Sequence, residues 1–375
     1  MAAAAVMTGC HKSNKEQSDL TAQAKTAAEA SGYRPPDDGS TEVLHVYTWS
    51  DYISPDVIAQ FEKSFDNKVK VKIDTFDSNE TMYAKLKAGG TGYDIIMPSS
   101  YQVAMMAREG LIEKIDHAKC PNVKKNFDPR FADQVYDPDF TYNVPYVVTY
   151  TGFMYDKNKT EGVDMESWAV LGNPAFKGRA TLLDDIREVI GAGLMYNGFS
   201  INSTNPAEID RAVEQVLAWR RSGTIRKFDA ESYKTEVADG SSWIGHGYST
   251  DTTQVILGDE DNGVPARGNI GFALPKEGYT IAFDEMVIAR GAKHKDLAYA
   301  FINFLYDGEV ACENMEYVQG PMPVKPGIEA LDEELRGIII LNDEQLKRGQ
   351  VLKELDPVTF ERYNKAWDKI KASDK

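Results

Sequence analysis

Val43-Leu-His-Val-Tyr-Thr-Trp-Ser-Asp-Tyr-Ile-Ser-Pro-Asp56 is the stretch of this 375-residue chain that decides its fold. The β-branched and aromatic run that ends at Trp49 is typical of a strand, and Pro55 suits the first turn of a helix. Apolar residues recur at helical spacing from 56 to 65, and the strict alternation in Lys68-Val-Lys-Val-Lys-Ile-Asp74 predicts a half-buried strand. The folded part therefore opens with a β-α-β unit.

The alternation of strands and helices continues beyond this unit. Asn79 is expected to cap a helix that runs through Met82 and Leu86, and Tyr93–Met97 is a compact apolar strand that ends before Pro98. Further strands are predicted at 142–152, 153–155 and 179–183, and further helices at 207–222 and 296–306. Residues 345–372 are expected to form one or two terminal helices. This pattern predicts an α/β fold whose ligand-facing loops follow the carboxyl ends of the strands.

Composition excludes several classes of protein. The chain has 42 Lys and Arg against 58 Asp and Glu, which gives a formal net charge of −16, and it shows no basic patch to which a nucleic acid would bind. No window approaches about 18 uninterrupted apolar residues, so we expect no membrane-spanning helix. A chain of this length that is 42% hydrophobic is best accommodated as two domains.

The first ten residues, Met-Ala-Ala-Ala-Ala-Val-Met-Thr-Gly-Cys10, resemble the end of a lipoprotein signal peptide, in which small residues precede a cysteine that becomes lipidated. The basic residues and the longer apolar stretch that normally begin such a signal are missing, so an Ala-rich start with a free cysteine is the alternative. Residues 11–41 are polar and are expected to form a flexible tether to the membrane.

Motifs of catalysis and metal binding are missing from the sequence. It contains no GxGxxG, GxxxxGK[ST], HExxH or GxSxG motif. The five histidines show no ligand spacing, and Cys120 and Cys312, without a CxxC motif, make no metal site. The sequence leaves two alternatives equally open: the two cysteines form a disulfide, or both are buried thiols. We expect no enzyme activity, no metal and no cofactor.

Aromatic, acidic and hydroxyl residues cluster where predicted strands end. The five clusters are Trp49-Ser50-Asp51-Tyr52, Ser99-Ser100-Tyr101, Asp184-Asp185-Ile-Arg-Glu188, Tyr248-Ser-Thr-Asp251 and Phe283-Asp284. An aromatic ring attracts an organic cation by about 0.5–2 kcal/mol, and a carboxylate accepts charge-assisted hydrogen bonds from an ammonium group. The clusters together predict a site for an organic ammonium, and a diamine needs such groups at both ends.

Each cluster also has a purely structural interpretation. Asp185 and Glu188 are three positions apart and fit a helix capping box, and Ser99 fits a helix N-cap. The first cluster fits a cover over an exposed sheet end, and the acids of the last two clusters fit solvated turns. Spacing alone does not decide between these interpretations.

The stretch Val43–Asp56 resembles the start of the bacterial spermidine/putrescine-binding proteins of ABC importers. Similar blocks are Phe76–Glu80, Lys85–Asp94, Pro98-Ser99, Leu183–Val189, Pro275–Gly278 and Ala366–Lys371, so the resemblance extends over about residues 42–373. It implies a two-lobed periplasmic binding protein fold of type II, with a ligand cleft between lobes that two hinge crossings join. We expect one lobe from 42–149 with 286–322 and the other from 150–285 with 323–375, after a signal remnant (1–10) and the tether (11–41).

The resemblance also implies which residues bind the ligand. The expected residues are Trp49, Ser50 and Tyr52 on the wall of the first lobe, Ser99 and Tyr101 on its floor, the acidic pair Asp185 and Glu188, Tyr248 and Asp251 of an aromatic–acid motif, and the central carboxylate Asp284. Two positions depart from the family pattern. Ala282 replaces an aromatic residue, and Gly320 or Pro321 holds the place of a ligand-facing tyrosine, for which Tyr317 is a possible substitute. Fewer aromatic walls weaken a cation–π cage.

We therefore expect a monomeric, lipid-anchored, extracytoplasmic protein that captures a polyamine of the putrescine/spermidine type by lobe closure and delivers it to an ABC permease. The alternative with the same fold binds an amino acid, a sugar-like amine or another cation for uptake or sensing. A hydrolase that uses Asp185 and Glu188 is disfavoured, because residues three apart on one helix are too close to flank a scissile bond. A purely adhesive role leaves the aromatic–acidic clusters unexplained.

Overall fold

The computed structural model describes residues 19–90, 92–258 and 264–373, which form ten β-strands and fifteen α-helices. The strands are β1 (Glu42–Thr48), β2 (Val69–Thr75), β3 (Ile95–Ile96), β4 (Val144–Asp156), β5 (Ala180–Leu182), β6 (Ile225–Phe228), β7 (Ile244–Tyr248), β8 (Ile270–Ala273), β9 (Tyr279–Ile288) and β10 (Gly349–Gln350). The helices are α1 (Thr21–Ser31), α2 (Pro55–Lys63), α3 (Asn79–Lys87), α4 (Ser100–Arg108), α5 (Pro121–Asn126), α6 (Ile186–Tyr196), α7 (Pro206–Arg221), α8 (Tyr233–Asp239), α9 (Ser249–Leu257), α10 (Lys295–Leu305), α11 (Gly308–Val318), α12 (Lys325–Ala330), α13 (Glu333–Ile339), α14 (Asp343–Leu346) and α15 (Pro357–Ala372). Of the helices in this described part of the chain, none is long and apolar enough to cross a membrane.

The predicted β-α-β opening is confirmed. β1 pairs in parallel with β2 along its whole length, and on its other side it pairs in parallel with the short strand β3. Helix α2, between β1 and β2, begins at Pro55, and the Ser54 side chain accepts a hydrogen bond from the backbone N–H of Val57. Because the three strands run in the same direction, the loops at their carboxyl ends lie at one edge of the sheet.

Two long antiparallel strands, β4 and β9, connect the two halves of the sheet. The strand order is β2-β1-β3-β9-β4-β7-β5-β6, with β8 beside β4 and β10 beside β9. β9 pairs with β3 at Val287 and Ile288 and with β4 over residues 281–286. β4 continues into the other half, where residues 151–155 pair with β7. These strands are the two hinge crossings of a type II fold.

Separate hydrophobic cores lie on the two sides of these crossings. The first contains buried side chains of β1, α2, α10 and α11, among them Leu44, Phe61 and Phe301. The second contains buried side chains of β5, α6 and α7, among them Leu194 and Val213. We call the two halves the first and the second lobe, and the predicted two-lobed α/β fold is confirmed.

The lobe boundaries given by the sequence stay a prediction, but one segment packs differently from that expectation. Residues 324–346, which were expected in the second lobe, contribute Val324, Leu335 and Leu346 to the first core. Tyr363 and Ile370 of α15 lie in the second core. The chain therefore runs through the first lobe again before its last helix joins the second.

Helix α1 occupies part of the segment expected to be a flexible tether. Its buried residues Ala24, Ala27 and Ala28 belong to the first core, and the helix packs against α10. Alanine has the highest helix propensity, so this segment forms a helix despite its polar composition. The proposed lipidation site, Cys10, lies outside the described residues.

Cys120 and Cys312 form no disulfide in the part of the chain that the structure describes, so the disulfide alternative is wrong. Cys120 is completely buried, and burial raises the pKa of its thiol to about 12. Cys312 is partly exposed. A thiol with so high a pKa is a weak nucleophile, and Cys120 is accordingly a packing residue.

Candidate functional site

The carboxylate of Asp284 on hinge strand β9 forms the centre of one group of predicted site residues. The Ser99 hydroxyl, just beyond β3, donates to Oδ1 over 2.6 Å, and the Tyr52 hydroxyl donates to Oδ2. Asp284 was expected after a strand, but it lies within β9, because that strand continues across the hinge to pair with β3. Burial raises the pKa of this carboxyl, and it also raises the pKa of Tyr52, to which the charge of Asp284 contributes.

Asn79 joins Ser99 to Tyr101. Its Oδ1 accepts from the Ser99 backbone N–H at 3.0 Å, and its Nδ2 donates to the Ser99 hydroxyl at 3.0 Å and to the Tyr101 hydroxyl at 2.9 Å. The prediction that Asn79 caps its helix is wrong, because Ser78 occupies the N-cap of α3. Ser99 holds the N-cap position of α4 but makes no side-chain capping bond, since its hydroxyl is bonded to the hinge carboxylate.

A second carboxylate, that of Glu188, is buried between α6 and the hinge. The Thr151 hydroxyl on β4 donates to Oε1 at 3.2 Å, and the Thr280 hydroxyl on β9 donates to Oε2 at 2.7 Å. Burial, with a smaller contribution from the charge of Asp185, raises the pKa of Glu188 to about 8. Because burial disfavours the charged form of Glu188, a cation bound beside it would stabilise the ionised carboxylate.

Asp185 caps helix α6 without a capping box. Its Oδ1 accepts hydrogen bonds from the backbone N–H groups of Arg187 at 2.7 Å and of Glu188 at 3.0 Å. The capping-box interpretation is wrong, because the Glu188 side chain is bonded to the hinge threonines. The guanidinium of Arg187 donates to the Lys353 carbonyl and to Asn202, so its hydrogen bonds are made within the second lobe.

Tyr101 and Tyr248 interact across the two lobes. Burial raises the pKa of Tyr101, and the charges of Glu80 in its own lobe and of Asp185 in the other raise it further. The pKa of Tyr248 is also well above its ordinary value. Burial is the main cause, and the carboxylates of Glu188, Asp185 and Asp251 and the phenol of Tyr101 add to it. Groups of the two lobes therefore lie close enough together to raise the pKa of each other's titratable side chains.

Asp251 lies in the first turn of α9, directly after β7. Its Oδ2 accepts a hydrogen bond from the Tyr233 hydroxyl, and the Lys234 ammonium lies 3.2 Å from Oδ1. The alternative of a solvated turn is wrong, because both carboxylate oxygens have protein donors. Tyr233 and Lys234 both belong to the first turn of α8.

Trp49 and Ser50 lie with Tyr52 and Tyr317 around a cavity of about 600 Å³ in the first lobe. Trp49 packs edge-on against Phe76, with ring centroids 4.5 Å apart. Its indole N–H is buried and has no hydrogen-bond partner within the described ranges. Tyr52 also bonds to Asp284, so it connects this cavity to the carboxylate on the hinge.

The two departures from the family pattern lie at the hinge. Ala282 lies between Thr280 and Asp284 on one face of β9, since alternate residues of a strand share a face. At Gly320, a Cβ atom would lie 2.7 Å from the methyl carbon of Thr250 in the second lobe. A tyrosine therefore has no room at position 320 in this arrangement, and Tyr317 is 40% exposed on the cavity of Trp49.

These groups offer recognition of a cation. The carboxylates at the hinge and in the second lobe can accept charge-assisted hydrogen bonds, and the tyrosines provide aromatic rings near them. In the ranges 19–90, 92–258 and 264–373, no group of three or more His, Cys, Asp and Glu residues could hold a metal ion. The carboxylates and the aromatic rings are together suited to an organic ammonium.

Five residues of the site were not predicted as part of it. They are Asn79, Thr151, Tyr233, Lys234 and Thr280. One signal was available for Tyr233, because alternate glycines on a strand often mark the close approach of another group. Cβ atoms at Gly245 and Gly247 would lie 3.1 Å and 2.0 Å from the Tyr233 ring.

Comparison with known sequences identifies a family and several relatives. A model of the family described as bacterial extracellular solute-binding protein matches residues 56–337. The putrescine/cadaverine-binding protein of Pseudomonas aeruginosa strain PAO1 is 32% identical over 340 residues, which are 88% of this chain and 94% of that protein. The spermidine/putrescine-binding periplasmic protein of Escherichia coli K12 is 34% identical over 293 residues, which are 76% of this chain and 78% of that protein.

Solved structures give the same result. The substrate-binding protein PotD of a spermidine/putrescine ABC transporter from Streptococcus pneumoniae is similar, with a TM-score of 0.81 and 31% identity, over 89% of this chain and 100% of that one. The Tp0655 (TpPotD) lipoprotein of Treponema pallidum has a TM-score of 0.77 and 28% identity, over 88% of this chain and 99% of that one. The fold is thus shared with both over nearly their whole length.

Proposed function

The chain belongs to the bacterial extracellular solute-binding protein family, within the group of its spermidine- and putrescine-binding members, and we propose that it captures a polyamine between its lobes and delivers it to an ABC permease. The family is described as solute-binding, and we propose that this chain binds its solute without catalysis. The cleft contains the acidic and aromatic groups that a flexible chain with several ammonium groups requires.

One observation carries this proposal: two carboxylates lie at different places along the same hinge. Asp284 is on β9, and Glu188 is bonded to Thr280, four residues earlier on that strand. Four residues of a strand span about 13 Å. Ala282 lies between these positions, so a small apolar surface separates the two acids. An alkyl chain with an ammonium group at each end matches this order of charged, apolar and charged groups.

We assign the residues as follows. Asp284, Glu188, Asp185 and Asp251 bind ammonium groups, Tyr101, Tyr248, Tyr52 and Trp49 contact the methylene chain or the ammonium ends, and Ser50 and Ser99 orient a terminal amine. Ser99 and Tyr52 already hold Asp284 in position through hydrogen bonds. The ligand then gains contacts with both lobes only when they are closed, and this differential contact drives closure.

The location follows from the same proposal. A protein that collects solute for an ABC permease acts outside the cytoplasm, and we propose attachment to the membrane through a lipid on Cys10 and function as a monomer. Helix α1 packs on the first lobe, so the segment that could act as a tether is shorter than residues 11–41. The lobe boundaries are taken to follow the two cores, with residues 324–346 in the first.

A thermal-shift screen on ligand-stripped protein tests the function. A ligand stabilises the protein by RT ln(1 + [L]/Kd), which is about 2.7 kcal/mol at a hundredfold excess over Kd. The ligands are putrescine, cadaverine, spermidine and spermine, with amino acids and sugars for comparison. We expect a rise in Tm with one or more polyamines. A rise with an amino acid or a sugar and with no amine would contradict the proposal and favour the same fold with another ligand.

A further inference from the structure

Lys234 places an ammonium group of the protein on one of the proposed ligand-binding carboxylates. Its Nζ lies 3.2 Å from Oδ1 of Asp251, and the hydroxyl of Tyr233 donates to Oδ2. A carboxylate has about four acceptor positions, so both oxygens are partly occupied by donors from α8. In charge and hydrogen bonding, the Lys234 head group is equivalent to the end of a polyamine.

The fold holds α8 in the position that this ion pair needs. Tyr233 is completely buried, and Gly245 and Gly247 on β7 leave the space that its ring occupies. Its hydroxyl also accepts a hydrogen bond from the backbone N–H of Tyr248 at 2.9 Å. Tyr233 is thereby fixed at both its ring and its hydroxyl, and Lys234 follows it directly in the chain.

The ion pair is partly open to solvent. The side chains of Lys234 and Asp251 are 39% and 24% exposed. Asp251 also contributes to the raised pKa of Tyr248, whose ring is proposed to contact the ligand. A ligand ammonium that approaches Asp251 therefore meets a cation already bound to the same carboxylate.

We infer that Lys234 determines which polyamines the protein binds, by acting as an internal counter-ion of Asp251. This inference rests on the proposed function. A ligand ammonium at Asp251 must share the carboxylate with Lys234 or displace it, so ligands that reach this position lose affinity. Ligands that bind only through Asp284 and Glu188 keep their affinity.

Charge-removing and charge-conserving variants separate this role from a structural one. Lys234→Gln removes the internal cation, and Lys234→Arg keeps it. Lys276→Gln is the matched control, because Lys276 forms an exposed ion pair with Asp164 in the same lobe at 3.0 Å. Calorimetric titration with putrescine, spermidine and the monoamine butylamine gives Kd for each variant, and the Tm of each variant reports on its folding.

We expect Lys234→Gln to tighten the binding of at least one polyamine about two- to fivefold, which is within the range for one exposed ion pair. Butylamine, whose single ammonium group can bind at Asp284 or Glu188 without reaching Asp251, should bind unchanged. Lys234→Arg and Lys276→Gln should match the wild type. In an Asp251→Asn background, Lys234→Gln should have no effect on any ligand, because the carboxylate for which the two cations compete is gone.

The outcomes distinguish this inference from the function on which it rests. If the wild type binds polyamines and Lys234→Gln binds each of them with the same Kd, the inference is wrong and the function stands. If Lys234→Gln tightens butylamine and polyamines equally, Lys234 acts through overall charge and the inference is again wrong. If neither protein binds any polyamine, both are wrong, whereas binding by Lys234→Gln alone would support the inference.

Discussion

The hydroxyl of Ser99 lies 2.6 Å from Oδ1 of Asp284, and this bond joins the end of β3 in the first lobe to the middle of hinge strand β9. The two residues also form an isolated antiparallel backbone bridge. The first lobe thus holds the Asp284 carboxylate in position on a strand that crosses between the two lobes. A cation bound to Asp284 would therefore contact the hinge and the first lobe together.

Replacement of Asp284 tests the importance of this carboxylate. We expect Asp284→Asn to weaken polyamine binding at least about tenfold, because it removes a charge-assisted hydrogen bond of about 1.5–3 kcal/mol. Asp368→Asn, at an exposed position on α15, removes the same charge from the surface and should leave Kd unchanged. Calorimetric titration measures both variants. An unchanged Kd for Asp284→Asn would remove this residue from the site.

The affinity for polyamines should rise with pH between about 6 and 8.5. Burial raises the pKa of Glu188 to about 8, so this acid is largely protonated and neutral at pH 6 and ionised at pH 9. An ammonium ligand prefers the ionised form, so its binding below pH 8 must expel a proton. An isolated alkyl amine titrates near pH 10, so the terminal ammonium groups of a diamine stay protonated over most of this range.

Titrations in two buffers of different ionisation enthalpy measure the protons released when a polyamine binds. We expect proton release at pH 7, and Glu188→Gln should remove most of both the release and the pH slope. The control is Glu214→Gln, at an exposed position on α7. This variant should keep both the proton release and the pH slope. Proton release that is the same in Glu188→Gln and wild type would show that another group titrates.

Glu285, on the opposite face of β9 from Asp284, should make the protein less stable as the pH rises. It is completely buried, accepts from Ser100 at 2.5 Å and from Asn143 at 2.9 Å, and burial raises its pKa to about 7. The folded state therefore binds more protons than the unfolded state between about pH 4.5 and 7. The stability contributed by this group is present at low pH and is lost as the pH passes 7.

Glu285→Gln should remove this dependence. Glutamine stays neutral and can keep both hydrogen bonds, so we expect it to raise the free energy of unfolding at pH 8 by up to about 3 kcal/mol and to leave it unchanged near pH 4.5. Urea unfolding at the two pH values measures the difference. An equal effect at both would show that packing, and not ionisation, distinguishes the two side chains.

Gly320 should be required for complete closure of the lobes. A Cβ atom at this position would lie 2.7 Å from the Thr250 methyl carbon in the second lobe. We expect Gly320→Ala to weaken polyamine binding severalfold, since the two lobes cannot approach as closely. Thr250→Ser removes that methyl group, so the double variant should recover the wild-type Kd. A loss that Thr250→Ser does not restore would place the effect of Gly320→Ala within the first lobe.

The opening of the fold could be predicted because its signals are local. The alternation in 68–74 and the helical period of 56–65 depend on nearest neighbours, and both elements are present. Helix α1 also had a local signal in its alanines, but its polar residues were interpreted as a tether. Composition averages over a segment, whereas a helix needs only one apolar stripe that packs on a neighbour.

The contacts of the site could be predicted less well than its residue types. Thr280 and Glu188 are 92 positions apart, and Tyr233 and Asp251 are 18 apart, so no periodicity relates them. Asn is a favoured N-cap residue, which predicts a cap at Asn79, but its side chain bonds instead to Ser99 and Tyr101. Which bond forms is decided by tertiary packing, which brings the end of β3 to the start of α3.

The position of a bound polyamine tests the central claim most directly. A crystal structure of the protein with putrescine or spermidine should show the ligand between the lobes, with one ammonium group within hydrogen-bond distance of Asp284 and its chain extending past Ala282 towards Glu188. A ligand bound outside this cleft, or in the cleft without contact to either carboxylate, would contradict the account.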